Sequence, residues 1–342
     1  MSEFDLGVLG WSTELADNLP PGLAPGRVVA AHRAAYDVQT AAEVVRTRLP
    51  GRLMHENAEV AVGDWVGLAD GLIRAVLPRR SAIVRKSAGL TSEPQTLAAN
   101  VDVAFIVTSL GPDLEPRRIE RYLVTVWESG ASPEVVLTKA DRMEDPWGLV
   151  AEVEAVALGV PVHVVSALTG QGVDALRARV GDGATAVLIG SSGVGKSTLV
   201  NRWVGRELMA VKETRADDDE GRHTTTHREL IVLPGGGVVI DTPGIRELQL
   251  WDSGGMEEAF ADVEELAAAC RFSDCSHNTE PGCAVKAALA SGDLPVERHA
   301  SWLKLQRELR SIELRHNARL RKEERKRWTQ LSRDARTRTR HR

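Results

Sequence analysis

The stretch TAVLIGSSGVGKSTLV, residues 185–200, constrains the fold more than any other part of the chain. A short apolar run enters a glycine-rich loop, and the loop opens a helix. Gly190, Gly195, Lys196 and Ser197 fit the pattern G-x-x-x-x-G-K-[ST] without a mismatch. Strand, tight loop and helix in that order belong to a parallel sheet that carries helices on both faces. On such sheets ligands sit at the C-terminal ends of the strands. Glycine lets the backbone N–H groups close around phosphate oxygens, and the helix N-terminus adds its positive dipole end. Ser191, Ser192, Gly193 and Val194 line that cradle, and Thr198 lies in the first helical turn. Lys196 is placed to reach the β and γ phosphates, and the Ser197 hydroxyl to ligate Mg²⁺.

The surrounding segment, about 100–250, supports the same architecture. Apolar runs alternate with helical stretches: VDVAFIVTSL then RRIERYLVTVWESG, PEVVL then PWGLVAEVEAVALG, PVHVV then GVDALRARV, with RELIVL and GGVVID closing the series. Continuous apolar strands between amphipathic helices indicate a sheet covered on both faces.

Four further motifs fall at ends of these runs. DTPG at 241–244 follows GGVVI; Asp241 can hold Mg²⁺ through water and Gly244 can offer its N–H to a γ phosphate. TKAD at 138–141 follows VVL. The Asp141 carboxylate can accept two hydrogen bonds from guanine N1–H and the exocyclic amine, which adenine does not offer. Lys139 would pack its stem along the base, and Thr138 stands where an asparagine is commoner in this motif. SALTG at 166–170 follows PVHVV, and Ser166 with Ala167 can support the base through a backbone N–H. GRHTTTHREL at 221–230 lies between the phosphate loop and DTPG, where a switch loop belongs. One of Thr224, Thr225 and Thr226 completes the Mg²⁺ shell there; Thr225 is the expectation carried forward.

TKAD precedes the phosphate loop in the chain, which reverses the usual order. Read cyclically from residue 185, the sequence runs phosphate loop, switch loop, DTPG, then across the break to VDVAFIV, TKAD and SALTG. That is the order of a standard guanine-nucleotide-binding domain, cut and rejoined.

The three cysteines, Cys270, Cys275 and Cys283, lie in one window with His277 in the pattern C-x4-C-x-H-x5-C. An odd count crowded this way is a poor disulfide framework. Three thiolates and one imidazole form a complete tetrahedral Zn²⁺ set, and four protein ligands argue for a structural site.

Upstream, residues 27–86 read as short β runs broken by turns (RVVAAH, YDVQT, AEVVRT, AEVAVGDWVGL, LIRAVL), with GDW and ADG as hairpin turns. Five short strands suggest a small OB-type barrel, and Arg79, Arg80, Arg85 and Lys86 suggest a basic edge for nucleic acid. NLPPGLAPG ends an N-terminal extension, 1–26, that reads as an extended, poorly packed lead-in. A charged helix is expected from about Glu297 to Arg327. From Arg315 to Arg342 the chain holds 12 Lys/Arg against 3 Asp/Glu, or +9, which leaves −14 of the net −5 on the rest. A basic tail on an acidic body points to a polyanionic partner. The N-terminus, MSEFDLGVLGW, lacks the basic segment of a secretory signal, and no run approaches the ~18 apolar residues of a membrane span. A cytoplasmic protein with no membrane partner is expected.

The domain plan is therefore an N-terminal extension (1–26), an OB barrel (27–95), a circularly permuted α/β GTPase domain (96–250) and a mostly helical zinc domain with a basic tail (251–342). Over about residues 27–300 this plan resembles the RsgA/YjeQ family, circularly permuted GTPases of small ribosomal subunit biogenesis. The resemblance implies slow hydrolysis of GTP to GDP, stimulated by the 30S subunit, with 30S and its 16S rRNA as partners; nothing in the sequence points away from a monomer. In Ras-like proteins the residue after DTxG is the glutamine that orients the attacking water. Here it is Ile245, whose side chain has no polar atom. The family shares a hydrophobic residue there, and its members use a switch-loop histidine instead; by position that is His223, with His227 second. Three other readings stay open: a ribosomal RNA-binding assembly factor that only senses GTP and GDP, another permuted ribosome-assembly GTPase, and a zinc-finger DNA regulator that leaves the nucleotide motifs unexplained.

Overall fold

The computed structural model describes residues 4–32, 35–51, 59–86, 94–112, 114–207, 228–241 and 254–316. The chain forms two compact units, Met1–Gln249 and Leu250–Arg342.

In the first unit the strands are β1 (Ala24–Ala31), β2 (Tyr36–Gln39), β3 (Val44–Thr47), β4 (Trp65–Ala69), β5 (Leu72–Val76), β6 (Ala82–Lys86), β7 (Pro94–Ala99), β8 (Val103–Ser109), β9 (Ser132–Thr138), β10 (Val162–Val164), β11 (Thr185–Ile189), β12 (Arg228–Val232) and β13 (Val238–Asp241). Its helices are α1 (Thr13–Asp17), α2 (Pro116–Glu128), α3 (Trp147–Glu154), α4 (Val173–Ala178) and α5 (Lys196–Val204). β10, β9, β8, β11 and β13 run parallel in that order. Every residue of β11 is buried, as an apolar strand between two helical layers should be. Phe105, Val107, Val136, Leu188, Leu199 and Trp203 share the core beneath the strand ends.

The five barrel strands pair in the order β3–β2–β1–β4–β5. The Thr47 hydroxyl donates to the Gly71 carbonyl at 2.8 Å, linking the two edges. Val28, Val38, Val66, Leu68 and Ile73 fill the interior. Asp70 and Gly71 both take positive φ (54° and 71°), the backbone of the tight hairpin turn that ADG suggested. The other expected turn, GDW, instead leads into β4.

Three expectations change here. The N-terminal extension is packed, not extended: it forms a 3-10 turn at Leu6–Leu9 and helix α1, and it buries Leu6, Leu9 and Leu15. Two residues of the expected basic edge have acidic partners within the protein, while the side chains of Arg85 and Lys86 lie outside the described residues. Arg79 grips the buried Asp64 with Nε and Nη2, each at 2.8 Å, and Arg80 lies 3.3 Å from Asp102. Third, the barrel is not a separate bead. β12 pairs antiparallel with both β13 and β1, so the barrel and the parallel sheet are continuous.

Arg27 on β1 fixes this junction. Its guanidinium is buried and donates to the carbonyls of Leu9, Gly63 and Asn100 and to the Thr185 hydroxyl on β11. Burial lowers its pKa to about 10, which still leaves it charged at neutral pH. Replacing it leaves several buried acceptors without a donor, each an expensive loss. Arg27→Met is expected to destabilise the first unit by about 3 kcal/mol, read as a lower denaturant midpoint; an unchanged midpoint contradicts this role.

The second unit contains α6 (Met256–Ala259), α7 (Ala261–Ala268), α8 (Ala284–Ser291) and α9 (Val296–His316). α9 begins as expected; its continuation toward Arg327 and the basic tail lie outside the described residues. Arg298 on α9 is buried, stacks over Phe260 at 4.2 Å and donates to Asp262 at 2.8 Å. Trp302 donates to Glu264 at 2.9 Å. These contacts hold α9 against α7. Among the described residues no helix is long and apolar enough to cross a membrane.

Candidate functional site: a nucleotide pocket and a metal-capable cluster

The phosphate loop leaves β11 between β8 and β13. Gly190 has φ +149°, and a Cβ there would lie 2.1 Å from the Val107 carbonyl oxygen, so only glycine fits. Gly193 and Gly195 also take positive φ, and Gly195 caps the start of α5. Lys196 folds back over the loop and donates to the Gly190 and Ser191 carbonyls at 2.7 and 2.6 Å. Ser192 is exposed, Val194 is buried in the core, and Ser197 and Thr198 are half-buried in the first turn of α5.

The guanine motif closes on this loop. Thr138 ends β9, and its hydroxyl lies 2.6 Å from the Val194 carbonyl and 3.1 Å from the Thr108 carbonyl. Its one proton serves the shorter contact, which ties the base-reading segment to the phosphate loop. A threonine therefore suffices where an asparagine is commoner. Lys139 adopts φ +59°, an uncommon backbone for a residue with a side chain. Asp141 is exposed, yet its carboxylate is held by the buried Ser166 hydroxyl at 2.5 Å. Ser166 is fixed in turn: its N–H donates to Gln171, and its hydroxyl accepts from Thr169 N–H at 3.2 Å. Ala167 is half-buried beside this loop and packs on the core. Thr138, Lys139, Asp141, Ser166 and Ala167 thus gather at the ends of β9 and β10, next to the phosphate loop.

Asp241 ends β13, whose Ile240 pairs with Val187 of β11, so the DTPG strand emerges beside the phosphate loop. A hydroxyl at Ser197 and a carboxylate at Asp241 are the hard oxygen donors that Mg²⁺ prefers. Gly244, Ile245 and the switch-loop residues His223, Thr224, Thr225, Thr226 and His227 lie outside the described residues.

In the second unit Cys270, Cys275, His277 and Cys283 place their ligand atoms within 4.8 Å of one another, a group able to hold a metal ion. His277 has φ +60°, which turns the chain back inside the cluster. Its Nδ1 faces Cys270 Sγ at 3.6 Å and Cys283 Sγ at 3.5 Å. The Cys275 thiol is pushed up to about 11, by desolvation and then by the neighbouring Cys283 and Cys270. Cys270 moves the other way: desolvation raises it, but hydrogen bonds from the Val285 and Ala284 N–H groups at the start of α8 more than offset this. All three sulfurs could ionise together only with a cation among them.

Sequence reasoning missed one contributor to the nucleotide pocket. Arg118, on the first turn of α2, points its Nη1 at the Ser191 hydroxyl at 3.2 Å. In RRIERYL it reads as one charge on a solvated helix face, and no local pattern marks it.

A phosphate-loop motif and the TKAD and SALTG segments, brought together in permuted order on one parallel sheet, have the layout of a circularly permuted GTPase. The family model described as RsgA GTPase matches residues 76–251. A Streptomyces coelicolor protein named small ribosomal subunit biogenesis GTPase RsgA is 49% identical over 336 residues, covering 94% of this chain and 92% of its own. A relative named RsgA 1 from Oceanobacillus iheyensis is 46% identical, covering 90% and 91%. The crystal structure of YjeQ from Thermotoga maritima superposes with TM-score 0.63 at 28% identity, covering 84% of this chain and 98% of that one. The chain belongs to the RsgA GTPase family.

Proposed function

We propose that this GTPase acts in biogenesis of the small ribosomal subunit, with hydrolysis of GTP to GDP gated by that particle. The observation that carries the proposal is the Thr138–Val194 contact beside the Ser166–Asp141 pair. Together they join a guanine reader to a phosphate cradle across the permuted order. In this reading Asp141 and Lys139 select guanine, Ser166 and Ala167 support the base, and residues 190–198 hold the phosphates. Lys196 exchanges its loop carbonyls for β and γ oxygens when nucleotide enters. Ser197, Asp241 and Thr225 would hold Mg²⁺, whose charge would offset that of the β and γ phosphates. His223 orients the attacking water once the particle orders the switch loop.

The cysteine cluster fits one structural Zn²⁺. Zn–S bonds of about 2.3 Å and Zn–N bonds of about 2.0–2.1 Å give tetrahedral edges of about 3.8 Å between sulfurs and about 3.5–3.6 Å from sulfur to nitrogen. The Cys270–Cys283 separation is 3.8 Å, and the sulfur–Nδ1 separations are 3.5 and 3.6 Å. The partners in this account are the 30S subunit and its 16S rRNA, and the protein works as a cytoplasmic monomer.

Ile245 favours a second reading, in which the site senses nucleotide without turning it over. Phosphate release in the presence of 30S separates the two. Wild-type protein is expected to turn over many times, while His223→Ala loses about 10- to 100-fold of the stimulated rate with nucleotide affinity unchanged. Stimulated turnover that survives in the variant removes His223 from the mechanism; no turnover in the wild type supports the sensor.

A further inference from the structure

We infer that Arg118 is a cis-acting arginine for GTP hydrolysis, parked on the phosphate loop until the γ phosphate takes it up. The inference rests on the GTPase reading above and adds a catalytic residue to it.

The geometry begins at the sheet. β8 pairs with β11 in parallel, Ile106 beside Ile189, so both strands deliver their following segments to the same edge. β11 delivers the phosphate loop and β8 delivers α2, with Arg118 in its first turn. From there Nη1 reaches the Ser191 hydroxyl at 3.2 Å, across 73 positions of sequence. Nη2 is held by Glu115 at 2.5 Å. The Glu115 pair alone is an ordinary exposed i,i+3 contact, and such pairs contribute little to stability. The reach to the phosphate loop is what sets Arg118 apart from its neighbour Arg117, which pairs with the buried Glu120.

Two cations therefore converge on Ser191. Lys196 sits on its carbonyl at 2.6 Å and Arg118 on its hydroxyl. At Ser191 the Lys196 ammonium and the Arg118 Nη1 each meet a neutral oxygen, which a phosphate oxygen outcompetes because hydrogen bonds between two charged groups are stronger than those to a neutral acceptor. Lys196 makes that exchange in this family of loops. Arg118, on the same residue with a long and half-exposed side chain, is placed to make the parallel exchange with γ-phosphoryl oxygens. In the transition state negative charge spreads over those oxygens, and a planar guanidinium fork matches them. The need is greater here than in Ras-like proteins, since the isoleucine side chain at 245 has no polar atom to offer. Arg118 itself forms and breaks no covalent bond; water adds to the γ phosphorus, the bond to the β–γ bridging oxygen breaks so that GDP leaves with that oxygen, the water's proton passes to the released phosphate or to solvent, and the guanidinium stays protonated throughout.

The test compares wild type, Arg118→Ala and Arg118→Lys in the full chain. The readouts are single-turnover hydrolysis at saturating GTP with 30S, affinity for GDP and for a non-hydrolysable GTP analogue, and binding of GDP with aluminium fluoride. Arg118→Ala is expected to slow hydrolysis at least about tenfold, keep GDP affinity within about twofold, and lose the aluminium fluoride complex. Arg118→Lys recovers only a small part, because a point charge does not replace the fork. The inference is overturned if hydrolysis stays within about twofold of wild type with the fluoride complex retained. It is equally overturned if GDP and GTP-analogue affinities fall together, since Arg118 then merely shapes the loop through Ser191. Absence of turnover in wild type refutes the enzymatic reading instead, and the analogue and fluoride measurements still decide Arg118.

Discussion

Asp141→Asn is expected to weaken GTP binding by about 10²- to 10⁴-fold, because two hydrogen bonds to a charged acceptor are each worth about 1.5–3 kcal/mol. In the proposed site the carboxylate, acceptor-only when ionised, would meet two donors of guanine, N1–H and the exocyclic amine. An asparagine amide offers one acceptor and one NH₂ donor, and the latter collides with the exocyclic amine. Xanthine carries an oxygen where guanine carries that amine, so the same variant should gain affinity for xanthosine triphosphate. The gain is informative because simple unfolding cannot produce it. Ser166 strengthens the prediction: its hydroxyl holds the Asp141 carboxylate at 2.5 Å, so the acceptor geometry is set before the base arrives. Isothermal titration with GTP and XTP reads both changes. Equal affinity for GTP in wild type and variant would place the base elsewhere.

The second large effect concerns the cysteine cluster. The second unit buries a small apolar set, including Met256, Phe260, Val263, Val285, Leu294, Trp302 and Leu305. A core of this size gains much from a metal staple, and structural zinc in small domains carries about 10–16 kcal/mol of apparent binding free energy at neutral pH. Cys283 is buried in this unit and also receives the Lys286 N–H at the start of α8. Cys283→Ser is expected to abolish zinc retention and to remove hydrogen-exchange protection from α7, α8 and the start of α9. Nucleotide binding by the first unit should persist. One zinc per wild-type chain by elemental analysis and none in the variant is the expected outcome. A variant that melts like wild type, together with zinc-free wild type, contradicts the structural-metal assignment.

The parts of this protein that were legible in sequence are those where chemistry dictates residue type at fixed spacing. Gly190 must be glycine because the Val107 carbonyl occupies the space of a side chain, and that necessity appears as a motif. The Cys/His spacing is visible for the same reason. β8 and β11 declare themselves through unbroken apolar runs. What sequence did not show are contacts between distant segments with no periodic signature. β1 and β12 pair across about two hundred residues at Ala30–Glu229 and Ala31–Arg228, which nothing local encodes. Arg27 reads as a polar strand residue and is instead fully buried at the junction of barrel and sheet. Arg79 and Arg80 look like a nucleic-acid edge until Asp64 and Asp102 are seen to face them. The packed N-terminus was missed because NLPPGLAPG suggested an extended chain, while Leu6, Leu9 and Leu15 are too few to show a period.

The β1–β12 pairing also bears on the proposed gating. β12 carries the end of the expected switch loop, GRHTTTHREL at 221–230, and pairs with β1 of the barrel at Arg228 and Glu229. In the proposed function a particle that engages the barrel would thus be connected to that loop through backbone hydrogen bonds.

The central claim is that a permuted guanine-nucleotide site turns over GTP in response to the small ribosomal subunit. Multiple-turnover phosphate release with added 30S, 50S and 70S particles tests it most directly. The account predicts slow release alone, strong stimulation by 30S, and much weaker stimulation by 50S. Equal rates with all three particles, or no stimulation by 30S, would contradict it.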